Sequence, residues 1–134
     1  MFKDLKRKVQ HWDDDEEIAA YLQALLNREA FDKAGLSYGM GHAIYTKSDP
    51  RAVIFRKFVK DLSKEKGRED DYRLYKAVER IAPQLIGKNR TVYKGVSANV
   101  DFYSGFVYEM LGIPSELYTP LFAIARIAFY FALC

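Results

Sequence analysis

Leu74-Tyr75-Lys76-Ala77-Val78-Glu79-Arg80-Ile81-Ala82-Pro83 is the stretch that decides the fold class. Leu74, Tyr75, Val78, Ile81 and Ala82 recur at the three- and four-residue spacing that lines one face of an α-helix, and Pro83, which has no backbone N–H, marks its expected end. Upstream, Asp49-Pro50 opens another helix, with Pro50 in the first turn, where a missing N–H deprives no helical carbonyl. Phe55, Val59 and Leu62, with Ile54 and Phe58, form its inner face, and Arg56, Lys57, Lys60 and Asp61 turn to water. A polar connection from Lys64 to Asp71 joins the two as a helical hairpin.

The same period extends outward from the hairpin. A short lysine-rich helix opens the chain and ends at Val9 and Gln10. Asp13-Asp14-Asp15-Glu16-Glu17 then caps a second helix, since acidic side chains accept the free N–H groups and favour the positive end of the helix dipole. Ile18, Leu22, Leu25 and Leu26 make its apolar face. Between Asp32 and Arg51 the helical period stops, and Gly35, Gly39 and Gly41 surround Ser37, Tyr38 and Met40 in a first long loop. Gln84 to Asn99 reads as a second long loop, with turn chemistry at Gly87-Lys88-Asn89-Arg90 and Lys94-Gly95. Val100 to Leu111 is a fifth helix stopped by Gly112-Ile113-Pro114, after which Ser115 caps a final apolar helix. No alternating run argues for a sheet, so the class is all-α: a compact domain of five to six helices with two long functional loops.

Composition bounds the partners. The chain has 134 residues, 49% hydrophobic and 29% charged, as one folded domain does. Lys+Arg 21 against Asp+Glu 18 leaves +3, with the two signs interleaved, so no nucleic-acid partner is expected. The single cysteine, Cys134, excludes an internal disulfide framework and paired-cysteine zinc sites. Met1 to Gln10 lacks the apolar core of a signal peptide, and a cytoplasmic location is the expectation. Leu117 to Cys134 is nearly all apolar, but Pro120 and Arg126 make it a poor membrane span, so it reads as a buried helix that a partner covers, a second copy of the chain included.

Four residues stand out for their chemistry. His42 follows the glycine-rich loop, where backbone amides are accessible and a ligand can come close; the alternative is a histidine that satisfies loop carbonyls. Arg51 lies just inside the third helix and Asp101 opens the fifth, and each is equally readable as a helix-terminal residue. Arg126 interrupts an apolar helix, where a charge needs a carboxylate partner or a bound anion. The aromatic residues Tyr21, Phe31, Phe55, Phe58, Tyr72, Tyr75, Phe106 and Tyr108 fall at helical spacings and read as core. His11, among charged residues, reads as exposed.

Together, Tyr38-Gly39-Met40-Gly41-His42-Ala43-Ile44-Tyr45, Ser48-Asp49-Pro50-Arg51-Ala52, Asn99-Val100-Asp101-Phe102-Tyr103-Ser104-Gly105 and Phe122-Ala123-Ile124-Ala125-Arg126 resemble citrate synthase of the bacterial type. The resemblance runs from near the N-terminus to Ile127. It implies the small domain of that enzyme over residues 1–116, with 117–134 resembling the start of the helix that returns to the large domain. The implied reaction condenses acetyl-CoA with oxaloacetate and hydrolyses citryl-CoA to citrate and CoA, with no metal or other cofactor. By this resemblance His42 polarises the oxaloacetate ketone and protonates its oxygen, and Asp101 takes a proton from the acetyl methyl. Arg51 and Arg126 hold the oxaloacetate carboxylates, for which a planar, permanently charged fork is suited. The CoA site falls on Leu36, Ser37, Tyr38, Gly39, Met40 and Gly41, with Asn99, and with Lys47, Lys88 and Lys94 for the phosphates.

Departures from the family pattern qualify this reading. The family's other two active-site histidines and the arginine it takes from a partner subunit have no counterpart here, so the chain by itself is expected to be inactive without the large domain. The residues after Arg126 read Ile127-Ala128-Phe129-Tyr130-Phe131 where Gly-Trp and a polar continuation are expected, and Ser97-Ala98 stands in place of Tyr-Pro. A 2-methylcitrate synthase shares these motifs, and a non-catalytic helical interaction module explains the apolar ending.

Overall fold

The computed structural model describes residues 1–41, 48–89 and 95–132. Within them lie six α-helices: α1 (Phe2–Lys8), α2 (Asp15–Leu26), α3 (Pro50–Glu65), α4 (Glu69–Asn89), α5 (Val100–Met110) and α6 (Tyr118–Ala132), the last preceded by a single 3-10 turn at Ser115–Leu117. The all-α class follows directly.

Three helix starts are set by side-chain caps, each satisfying an N–H that the first turn leaves free. Asp14 accepts from the Glu16 amide, Asp49 from that of Arg51, and Asn99 from that of Asp101. The helices then bury one face each in a common core. Leu5, Ile18, Leu22, Leu25, Val59, Leu74, Val78, Tyr103 and Phe106 are almost completely inaccessible. Tyr75 of α4 is central to it, stacking on Phe106 of α5 with ring centroids 4.6 Å apart and carrying Phe2 of α1 on the ring system. Around this core α3 lies on α5 and on α4, while α2 lies on α4.

Several expectations change. The helix of α4 passes through Pro83 and continues to Asn89, so Gln84 to Asn89 is not loop. Pro83 removes one backbone donor, but Leu85 beyond it still packs on the core, which keeps the helix going. On α3, Ile54 and Phe58 are 56% and 64% exposed, and the buried residues are Ala52, Val59 and Ser63; Phe31 is likewise exposed rather than core. Arg56, placed in water by periodicity, donates instead to Glu79 of α4. Finally, Ser115 does not cap α6: it begins the 3-10 turn, whose cap position is Pro114.

The largest change is in α6. It meets the other helices at Tyr118, whose ring lies 5.1 Å from that of Tyr108, and then presents Ile124, Ile127 and Phe131 to solvent. The expected buried helix is an exposed one. Its hydropathy signals a surface suited to cover, and the described chain supplies none. Arg126 is therefore exposed too, its guanidinium lying 4.5 Å from the centre of the Phe122 ring one turn earlier.

Candidate functional site

The two loop segments that flank α3 and α5 meet in a short antiparallel seam. Met40 bridges Ala98. The Gly41 amide donates to the Ser97 carbonyl at 2.8 Å, and the Asn99 amide donates to the Gly39 carbonyl at 2.9 Å. The Asn99 side chain then works in both directions: its Nδ2 donates to the Gly41 carbonyl at 2.8 Å, and its Oδ1 accepts from the Asp101 amide at 3.0 Å. One carboxamide thus connects the loop that precedes His42 with the first turn of α5.

Only glycine fits at the inner end of this seam. Gly39 has φ +81°, and a Cβ there would lie 2.7 Å from the Phe102 Cα. Both the left-handed backbone and the close approach exclude a side chain. Gly41 shares the left-handed conformation, at φ +86°, but among the described residues nothing lies within 4 Å of the place a Cβ would take.

A second junction lies at Asp49. Its carboxylate is 1% exposed. Oδ1 accepts from the Arg51 amide at 2.9 Å and from Arg51 Nε at 3.0 Å, and Oδ2 accepts from Arg51 Nη2 at 2.9 Å. Oδ2 also accepts from the Val100 amide at 3.2 Å, which fastens the start of α3 to the start of α5. Burial works to raise the Asp49 carboxyl, but the Arg51 guanidinium, the Arg51 amide and the Val100 amide outweigh it and hold the group below the usual carboxylate range. The bidentate contact fixes the plane of the Arg51 guanidinium.

These two junctions bring Gly39, Met40, Gly41, Asn99, Arg51 and Asp101 onto one rim of the molecule. Asp101 is exposed at the first turn of α5. Leu36 and Tyr38 are also exposed, and the Tyr38 hydroxyl donates to Asp32. That contact raises the Tyr38 hydroxyl and lowers the Asp32 carboxyl. Ser37 is partly buried, with its Oγ 4.0 Å from the Met1 sulfur. Lys88 sits exposed on α4 rather than in a loop. Arg126 stands apart from the hydrogen-bonded group, on α6. His42, Lys47 and Lys94 lie outside the described residues. His11 is exposed, with its Nδ1 3.3 Å from Glu17 Oε2.

Behind the rim is a cleft of about 700 Å³, walled by Asp49, Ala52 and Arg56 of the α3 segment, Tyr72, Glu79 and Arg80 of α4, and Ser97. Within it Glu79 accepts from Arg56 and, at 2.7 Å, from the Tyr103 hydroxyl. Among the described residues no group of three or more His, Cys, Asp or Glu side chains is placed to hold a metal ion, and no helix is long and apolar enough to cross a membrane.

Sequence reasoning passed over Asp49, which reads simply as a helix cap before Pro50. The available signal was the arginine two residues later, in reach of the same carboxylate. The tie to Val100 spans 51 positions and has no local signature.

Comparison with known proteins bears on the family and the fold. The family described as citrate synthase, C-terminal domain, matches residues 1–132. The citrate synthase of Synechocystis is 42% identical over 94 residues, 70% of this chain and 22% of that protein. That of Acidithiobacillus ferridurans is 38% identical over 121 residues, 87% of this chain and 30% of that protein. The chain therefore spans between about a fifth and a third of the length of these relatives. Among solved structures, the citrate synthase of the archaeon Thermoplasma acidophilum, in ternary complex with carboxymethyl coenzyme A and oxaloacetate, superposes with a TM-score of 0.64 at 25% identity, over 91% of this chain and 29% of that one. With family, relatives and fold in agreement over nearly its whole length, this chain belongs to the citrate synthase family, in the part described as the C-terminal domain.

Proposed function

We propose that the chain forms one wall of a citrate synthase active site, where acetyl-CoA is condensed with oxaloacetate. The observation that carries this reading is the junction itself: Asn99 and Asp49 hold the Gly39–Gly41 loop, the Arg51 guanidinium and the first turn of α5 in one hydrogen-bonded unit. In this reading Asp101 removes a proton from the acetyl methyl, and the resulting enolate carbon bonds to the ketone carbon of oxaloacetate. His42 gives a proton to the ketone oxygen. Water then cleaves the thioester of citryl-CoA, releasing citrate and CoA. Arg51, its plane set by Asp49, offers a fork to an oxaloacetate carboxylate, and Arg126 offers a second. The Leu36–Gly41 segment receives the CoA nucleotide largely through backbone groups, and Lys47, Lys88 and Lys94 face its phosphates. No metal or other cofactor takes part, and CoA enters as the thioester substrate. Propionyl-CoA in place of acetyl-CoA gives 2-methylcitrate with the same residues.

The chain holds two histidines, His11 and His42, fewer than this chemistry uses, so turnover belongs to a complete polypeptide with the large domain. The reading carries a cytoplasmic location, to which the single cysteine is suited. It is tested by Asp101→Asn in a complete citrate synthase chain carrying this domain: citrate formation falls by orders of magnitude, and undiminished formation overturns the assignment. Titration of the 134-residue chain with CoA reads the nucleotide surface separately.

The exposed Ile124, Ile127 and Phe131 favour a second role for α6, as a surface that docks on the large domain or on a second copy of the chain. Light scattering decides between these. An oligomer that dissociates when residues 117–134 are removed is a self-association surface, and a monomer leaves docking on the large domain.

A further inference from the structure

We infer that Asn99 is a positioning residue that couples the two halves of the reaction, a role that rests on the citrate synthase reading of Asp101. The two ends of its carboxamide are committed within the protein. Oδ1 accepts from the amide of Asp101, and Nδ2 donates to the carbonyl of Gly41, the residue that His42 follows in the chain. Its own amide adds a third tie, to the Gly39 carbonyl. Asp49 connects Arg51 to Val100, and so serves α3 and α5 but not the glycine loop. The Asn99 amide group therefore sets the separation between the backbone that leads into His42 and the backbone that carries Asp101. A carboxamide is the group suited to this. A carboxylate retains the acceptor but meets the Gly41 carbonyl with negative charge, and a hydroxyl retains a cap but does not extend as far.

The substitutions that separate positioning from capping are Asn99→Asp and Asn99→Ser. Both residues are good helix caps, so α5 keeps its start, and both lose the donor to Gly41. In a complete citrate synthase chain carrying this domain, both variants are expected to lower kcat by about 10- to 100-fold, the scale on which a small misplacement of reacting groups acts, whatever accompanying change the displaced glycine loop makes in KM for acetyl-CoA. A kcat within about 2-fold of the parent overturns the inference. So does a rise in KM for acetyl-CoA with kcat unchanged, which is the signature of a CoA contact. In the 134-residue chain itself, NMR of the same variants is expected to shift the Gly39 and Gly41 amides and leave the α5 amides from Phe102 onward in place; unmoved glycine amides overturn the inference. An Asp101→Asn enzyme that still forms citrate at the parent rate removes the reading beneath it, and that result is distinct from any failure at Asn99.

Discussion

Gly39 rests on the backbone of Phe102, so close that a single added carbon would lie 2.7 Å from the Phe102 Cα. A loop glycine and the first turn of a helix 63 positions further along thus share one van der Waals surface, and the glycine loop cannot move without moving α5. Gly39→Ala should lose on two counts. The left-handed backbone costs about 1–2 kcal/mol for a residue with a Cβ, and the clash with main chain has no flexible side chain to absorb it. Gly41→Ala carries the first penalty alone. Urea denaturation of the two variants is expected to show Gly39→Ala as the less stable by well over about 1 kcal/mol, since strain at packed main chain adds to the backbone term.

Asp49 makes a cap, a guanidinium pair and a tie between helices with one buried carboxylate. Asp49→Ala leaves the Val100 amide and the Arg51 side chain without their acceptor, and is expected to destabilise the chain by about 2 kcal/mol or more. Asp49→Ser restores the cap alone and should recover only part of this. Thermal unfolding of the pair measures the difference.

Acid should weaken the fold through Asp49 and Asp71. For both, burial works upward but is outweighed: Arg51 and the Val100 amide lower Asp49, and Arg68 and Lys6 lower Asp71. A carboxyl held below its unfolded value of 3.8 binds its proton more readily in the unfolded chain. Its stabilisation is complete above that value and disappears as pH falls through the lower folded value. Stability measured by urea titration is therefore expected to be flat on this account near neutrality and to drop below about pH 4. Asp71→Asn should be less stable at pH 7 and show a shallower acid decline.

The exposed face of α6 separates solubility from folding. Ile124→Lys with Ile127→Lys removes apolar surface that is largely exposed, so Tm should change by no more than a few degrees. Light scattering should show less association at high concentration. Phe106→Ala, at 0% exposure in the core, is the contrasting control and is expected to cost about 3–5 kcal/mol.

Local chemistry made much of the fold readable. The acidic run at 13–17 and the Asp49-Pro50 pair each announce a helix start, and a cap stands at Asp14 and at Asp49; the cap of α5 is Asn99, which the sequence places at the end of a loop. Period alone misled where the outcome depended on what lies opposite. Pro83 is a stop signal by its chemistry, yet Leu85 beyond it finds the core and the helix continues. Ile54 and Phe58 share a spacing with Val59, but only Val59 meets a neighbouring helix face. Hydropathy gave α6 its length and left open whether anything covers it. For the candidate site, glycine spacing and the residues around Asp101 marked the two segments that the seam joins. The sequence had no means of showing that Asn99 bonds Gly41 across 58 positions, or that Asp49 reaches Val100 across 51. Those contacts arise from how α3 lies on α5.

The seam between Met40 and Ala98 is bonded through the residues on either side of Ala98: Ser97 gives its carbonyl and Asn99 its amide. The N–H of Ala98 is not among these bonds. An imino acid at position 98 would therefore remove no donor from these bonds, and, where the backbone angle suits, it restricts the unfolded chain, worth about 0.4–1 kcal/mol. Rigidity can be introduced in this seam without removing either hydrogen bond across it.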